Sequence, residues 1–305
     1  MIIRFNEELS EQQIFANGNE LASVMGQDKD EQGKRVYSYP KEKEIHVVTF
    51  QNPTLVTDTY KIAQLEPTLR DTVFKLLESP IRITQYNGVS LDFEQRKYLG
   101  AWGPSIDTLL FCRALDKADL SNVKTYIEVG AGSGFISKYI LEKNSEIKEV
   151  HLVDLNEYAM MSCQDNIKDD RAVFFTGDGI EYLKGKKFDL IVCNPPYIPR
   201  PKSIDDNPYE GVELLNYLIQ ESKNILSPGG KFITNLSSLS RGDVEKVMDG
   251  SGSKMTELDE MRVPLKVMNV LNNPEWMEYL LSHGLQKELE DGYEYYQTIT
   301  IVALE

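Results

Sequence analysis

Cysteine, histidine and tryptophan are scarce in this chain of 305 residues, which holds three, three and two of them. Cys112, Cys163 and Cys193 are odd in number and scattered, which excludes a disulfide framework and a zinc knuckle and points to reduced core thiols. His46, His151 and His283 lack metal-ligand spacing, so no metal site is expected. No apolar run approaches the ~18 residues that a membrane span requires. The opening MIIRFNEELSEQQ turns acidic where a signal peptide would need its apolar core. A cytoplasmic protein without a membrane segment is the expectation. Positive charge is also short: 33 Lys+Arg against 48 Asp+Glu leave a net charge of −15, whereas a protein gripping a long nucleic-acid backbone is usually basic. The Gly-Lys-Ser/Thr of a phosphate-binding loop is missing too.

What the chain does hold is a change of rhythm near residue 100. Residues 1–100 read as a smaller mixed α+β domain, an accessory or substrate-recognition unit. It has strand-like stretches over 36–50, a helical pattern over 59–78 and an exposed loop, GQDKDEQGKR, at 26–35. Residues 101–305 form the second domain. From 124 onward strands and helices alternate: KTYIEV, FISKYILEKN, VHLVD, a helix from Asn156 to about Lys168, AVFFT, a short helix near 180–184, and FDLIVCN. A helix marked by Leu215, Leu218, Ile219 and Leu226 follows, ended by Pro228-Gly229-Gly230, and then the strand KFITNLSS. This alternation predicts an α/β fold with a doubly wound, mostly parallel sheet. The tail, with MRVPLKVMNV, PEWMEYLLSHG and YEYYQTITIVAL, predicts a terminal antiparallel strand pair with an inserted helix.

Ligands of such sheets bind at the carboxyl ends of the strands, and the polar oddities of this sequence gather there. The first strand ends in Glu128-Val129-Gly130-Ala131-Gly132-Ser133-Gly134 and runs into a helix. Glycines at that point allow tight turning and close approach of a ligand to backbone N–H groups. A dinucleotide site is a rival reading, but its G-x-G-x-x-G spacing is not met. The second strand ends in Asp154-Leu155, where a carboxylate can accept from both hydroxyls of a ribose. The third ends in Thr176-Gly177-Asp178-Gly179-Ile180, where Asp178 can accept from an adenine amine. The fourth stops at Asn194-Pro195-Pro196-Tyr197, where two prolines cannot extend a sheet.

YIEVGAGSGF, HLVDLN, TGDGI and CNPPY, in that order, resemble motifs I to IV of the class I S-adenosylmethionine-dependent methyltransferases. The resemblance covers roughly residues 100–240 and implies a seven-stranded, Rossmann-like sheet. It implies that Glu128, Gly130, Ala131, Gly132 and Gly134 cradle the methionine end of S-adenosylmethionine, that Asp154 and Leu155 meet the ribose end, and that Asp178 and Gly179 meet the adenine, with Asn194 bordering the cofactor. Asn-Pro-Pro-Tyr is similar to the motif of enzymes that methylate planar NH2 groups. Asn194 Oδ1 and the Pro195 carbonyl would each accept one target N–H, Pro196 would stiffen the turn and Tyr197 would lie against the flat group.

The longer form NPPYIP, with Tyr209-Glu210-Gly211 downstream, is most similar to the HemK/PrmC family of protein glutamine-N5 methyltransferases, which act on peptide-chain release factors. That resemblance implies a protein substrate and substrate contacts from Asp107 and Thr108, in Gly103-Pro104-Ser105-Ile106-Asp107-Thr108. The family's own segment there is Pro-Arg-Pro-Glu/Asp-Thr-Glu, of which only Pro, Asp and Thr remain; Ser105 or Asp107 can equally serve as a helix cap. The strand-like N-terminal region also departs from that family's wholly helical one. N6 methylation of adenine in ribosomal RNA or another nucleic acid is the alternative chemistry, and a non-catalytic S-adenosylmethionine-binding protein is a third reading.

Overall fold

The computed structural model describes residues 100–204, 211–265, 268–271, 273–290 and 293–305, and ahead of them 81–94, 97–98 and six strands between residues 2 and 61. The chain divides into two compact units, Met1–Leu99 with Glu290–Gly292, and Gly100–Leu289 with Tyr293–Glu305.

In the first unit, β1 (Ile2–Asn6), β2 (Gln13–Ala16), β5 (Glu44–Gln51) and β6 (Thr54–Lys61) form a sheet in the order β2-β1-β5-β6. β3 (Gly26–Lys29) and β4 (Arg35–Ser38) pair antiparallel, so part of the stretch expected as a loop at 26–35 is strand. β7 (Ile81–Tyr86) and β8 (Val89–Glu94) form a hairpin around Asn87-Gly88. The helix expected over 59–78 begins inside β6, and its remainder lies outside the described residues.

The second unit carries a sheet in the order β11-β10-β9-β12-β13-β16-β14, with β15 (Lys287–Glu290) paired to β16. Its strands are β9 (Thr125–Val129), β10 (Glu149–Asp154), β11 (Ala172–Thr176), β12 (Phe188–Cys193), β13 (Leu226–Ser237), β14 (Met255–Pro264) and β16 (Tyr293–Leu304). The first five run parallel; β16 is antiparallel to both β13 and β14. The intervening helices are α1 (Ile106–Leu115), α2 (Phe135–Lys143), α3 (Glu157–Asn166), α4 (Gly179–Leu183), α5 (Glu213–Ile225), α6 (Arg241–Ser251), α7 (Met268–Leu271) and α8 (Pro274–Ser282).

Local chemistry sets the helix starts. Asn156 Oδ1 accepts from Tyr158 N at 2.8 Å, and Asn273 Oδ1 accepts from Trp276 N at 3.1 Å with Pro274 opening the helix; both satisfy N–H groups that a first turn leaves free. The central apolar strands bury both faces, as parallel strands between helix layers do: Ile127, Ile191 and Phe232 have no exposed surface, whereas the edge strand β11 leaves Val173 and Phe175 exposed. Leu226 belongs to β13 rather than to the preceding helix. The pairing jumps from Phe188↔Leu226 to Leu190↔Lys231, which loops Pro228-Gly229-Gly230 out of register. In the tail, residues 268–271 are helical where an unbroken strand-like run is written in the sequence. Among the described residues, no helix is long and apolar enough to cross a membrane.

Candidate active site

The parallel register brings the polar strand ends to one edge. Val129 lies opposite both Val153 and Cys193, and Cys193 lies opposite Thr234. Gly130, Asp154 and Asn194 therefore lie side by side at the carboxyl ends of β9, β10 and β12, with Asn235 level with them inside β13. The order reverses between β9 and β12, the switch point where such sheets bind ligands.

The glycine loop is tied down from below. Gly130 N and Ala131 N both donate to the Val153 carbonyl, at 2.8 and 3.1 Å. Gly130 takes φ +74°, is exposed, and a Cβ there would meet nothing within 4 Å: it borders open space. Gly132 takes φ +52°, and a Cβ there would stand 3.1 Å from the Trp102 carbonyl, so the chain ahead of α1 crosses this part of the loop. The Trp102 side chain itself is 76% exposed.

Glu128, 2% exposed, lies beneath the loop. Its Oε2 accepts from Ser137 N at 3.0 Å, from Tyr126 Oη at 3.3 Å and from Ser137 Oγ. Burial pushes its carboxyl from 4.5 up to about 8, with the charge of Asp154 adding to the rise and these hydrogen bonds opposing it. Asp154 accepts from Gly132 N through Oδ2 and from Asn156 N through Oδ1, both at 2.9 Å. Burial raises its carboxyl as well, against the pull of those two N–H groups. Each oxygen keeps a second lone pair. Leu155 follows it, 45% exposed. Asp178 caps α4, accepting from Ile180 N and Glu181 N through Oδ1 at 2.7 and 3.4 Å; Gly179 is the first residue of that helix. Burial raises the thiols of Cys112, Cys163 and Cys193 well above their ordinary range, which makes them inert.

Asn194 is partly buried, Pro195 buried, Pro196 exposed and Tyr197 partly buried. Asn194 Nδ2 donates to Asp107 Oδ2 at 3.2 Å, and Asn194 Oδ1 accepts from Asn235 Nδ2. Asp107 therefore reaches the Asn-Pro-Pro-Tyr turn through Asn194. Thr108 is buried and closes the start of α1, its hydroxyl accepting from Ser105 N at 3.1 Å. The turn is braced from the far side by α8: Trp276 Nε1 donates to the Pro199 carbonyl at 2.8 Å, and Ile198, Leu265, Trp276 and Leu280 share an apolar cluster with Tyr197 against it. Tyr209 and Glu210 lie outside the described residues.

Sequence reading passed over Asn235, Ser137 and Trp276. Asn235 had a signal, an amide within the apolar run of KFITNLSS at the level of Asn194. It has no exposed surface and its Oδ1 has no partner among the described residues, an arrangement costing about 1–3 kcal/mol. Ser137 and Trp276 act through tertiary contacts that spacing does not reveal.

A switch point carrying a glycine loop, two strand-end carboxylates and an asparagine-proline turn defines a nucleoside-binding transferase of the Rossmann-like class. Residues 105–259 match the family described as methyltransferase small domain, and the chain belongs to that family. It is 31% identical over 203 residues to a candidate protein N5-glutamine methyltransferase of Methanocaldococcus jannaschii, a match covering 62% of this chain and 98% of that one. It is 30% identical over 185 residues to a release factor glutamine methyltransferase of Clostridium acetobutylicum, covering 54% and 64%. A tRNA1(Val) (adenine(37)-N6)-methyltransferase of Pasteurella multocida is 32% identical over 89 residues, covering 27% and 38%.

The methyl donor is S-adenosylmethionine, and the residues present fit it. Open space lies over Gly130, lone pairs remain on both oxygens of Asp154, and Leu155 exposes an apolar face beside them.

Proposed function

We propose that this methyltransferase modifies the side-chain amide nitrogen of a protein glutamine, with a peptide-chain release factor as the type of substrate. The observation that supports this reading is the 31% identity to the M. jannaschii protein, which runs over 98% of that protein's length. In this reading Glu128 and Gly130–Gly134 hold the methionine end of the cofactor, Asp154 and Leu155 the ribose end, and Asp178 the adenine amine through its Oδ2. S-adenosylmethionine, when bound, supplies a methyl group on a sulfonium, an electrophile with a good leaving group.

The chain's task is to orient a poor nucleophile. An amide nitrogen shares its lone pair with the carbonyl, so it attacks only when that pair is turned out of conjugation and towards the methyl. Asn194 Oδ1 accepts one target N–H and the Pro195 carbonyl accepts the other. The two prolines hold those acceptors rigid before the target arrives, and Tyr197 covers the flat group. No general base is required for attack: the methylated nitrogen is cationic and sheds its proton afterwards.

The test is mass spectrometry of release factors from cells with and without this protein. N5-methylglutamine that vanishes on deletion, and returns with wild type but not with Asn194→Ala, supports the reading. Label from methyl-tritiated S-adenosylmethionine found wholly in RNA defeats it. That outcome would favour the second reading, N6 methylation of an adenine, which has the 32% identity to the P. multocida enzyme in its support.

A further inference from the structure

We infer that Asn235 is a positioning residue: its amide N–H fixes Asn194 Oδ1 while Asp107 fixes Asn194 Nδ2, so that the Asn194 amide offers one lone pair in one direction to the incoming NH2 group. The inference rests on the reading of Asn194 as the acceptor, and it holds for an amide or an adenine target alike.

Three observations carry it. First, Asn194 is held at both ends, by Asp107 Oδ2 at 3.2 Å and by Asn235 Nδ2, and Asp107 can only accept when ionised, which forbids the flipped amide. Second, an amide oxygen has two lone pairs, and Asn235 takes one, leaving a single seat for a substrate N–H. The carboxylate on Nδ2 also draws the amide's electrons towards oxygen, making that remaining seat a stronger acceptor. Third, Asn235 has no exposed surface and its own Oδ1 has no partner among the described residues, on a buried strand that mixes apolar Ile233 and Leu236 with polar Thr234 and Ser237. A buried amide oxygen left without a partner costs stability, so stability does not explain this asparagine, while the side-chain hydrogen bond that it makes to Asn194 does.

The experiment compares wild type with Asn235→Leu and Asn235→Asp. Acceptors are all macromolecules in an extract of cells lacking this protein, with tritium from methyl-labelled S-adenosylmethionine counted separately in protein and in RNA. For Asn235→Leu the expected result is a melting temperature equal to or above wild type, an unchanged Kd for S-adenosylmethionine, and incorporation lower by about 10²-fold. For Asn235→Asp the ionised side chain sets oxygen against oxygen, whereas the protonated one donates as asparagine did. Its rate relative to wild type should rise as pH is lowered from 9 to 6; Asp107, Glu128 and Asp154 are the other carboxyl groups on the neighbouring elements.

Unchanged incorporation in the leucine variant overturns the inference, as does a loss matched by loss of fold or a flat ratio in the aspartate variant. Label found only in RNA defeats the glutamine reading and leaves every one of these outcomes readable.

Discussion

Replacing Glu128 by glutamine tests whether the carboxyl beneath the glycine loop is carried uncharged. In the unfolded chain this group ionises near 4.5; in the folded one burial holds the proton until about 8. Between those values folding takes up a proton, so stability falls as pH rises. The stabilisation is fully present below the unfolded pKa and is lost as pH passes the folded one. At about 1.36 kcal/mol per pH unit the whole window is worth on the order of 4–5 kcal/mol, a large share of a domain's ~5–15 kcal/mol. Glutamine keeps the shape and cannot titrate. Urea unfolding should therefore give wild type and Glu128→Gln nearly equal free energies at pH 5, with the variant ahead by roughly 4 kcal/mol at pH 9. Trp102 and Trp276 both lie in the second unit, so their fluorescence follows that unit alone. A difference that stays flat across this range refutes a buried, neutral Glu128. In the proposed reading, where Glu128 holds the methionine end of the cofactor, binding of the cation should release a proton from this carboxyl, visible as a dependence of the calorimetric binding heat on the buffer's ionisation enthalpy.

Other perturbations separate the parts of the site. Gly130→Ala and Gly132→Ala both force a side chain to positive φ, at a cost of about 1 kcal/mol or more. The first adds a methyl to open space and should weaken S-adenosylmethionine binding more than it lowers the melting temperature. The second meets the Trp102 carbonyl and should lower the melting temperature more; equal behaviour of the two would contradict the geometry. Trp276→Phe removes the N–H held by the Pro199 carbonyl and should cost about 1–2 kcal/mol, with kcat falling and the Kd for S-adenosylmethionine unchanged. Arg113→Met leaves Asp259, whose side chain is 9% exposed, without the guanidinium at 2.5 Å, and should cost about 2–3 kcal/mol at pH 7. Against the raising effect of burial, the arginine and Lys117 together hold the Asp259 carboxyl below its ordinary value, so this contribution is present above the ordinary carboxylate pKa and is lost as pH falls through the lowered one. A denaturation series should find the gap between variant and wild type closing in acid.

The parallel half of the sheet was legible because its signals are local. Apolar runs such as YIEV and LIVC announce buried strands, and a strand running straight into Gly130–Gly134 and a helix leaves few other readings. The strand-end residues could be named in advance because parallel pairing carries every carboxyl end to one edge. The partners that hold them could not, since Asn235 reaches Asn194 across 41 positions and Trp276 reaches Pro199 across 77. Asp107 lay in a segment with a family resemblance, yet its bond to Asn194 spans 87 positions. Residues 26–29 read as loop because GQDK is charged and glycine-started, and they are a strand because Arg35–Ser38 pairs with them. Tertiary pairing overrode a weak local preference.

The position of β16 bears on how the protein is made. This strand lies between β13 and β14, both of which precede it in the chain, so on the ribosome each waits for a partner not yet synthesised. Until Tyr293–Leu304 emerges, the flank of β13 that carries Asn235 opposite Ile301 remains an open strand edge, the kind of surface that invites mispairing. A nascent chain halted before β16 would hold the glycine loop's sequence and the Asn-Pro-Pro-Tyr turn, but not the finished wall behind them. Ribosome-tethered chains of increasing length should thus acquire protease resistance late and abruptly, in the step that releases this strand from the exit tunnel.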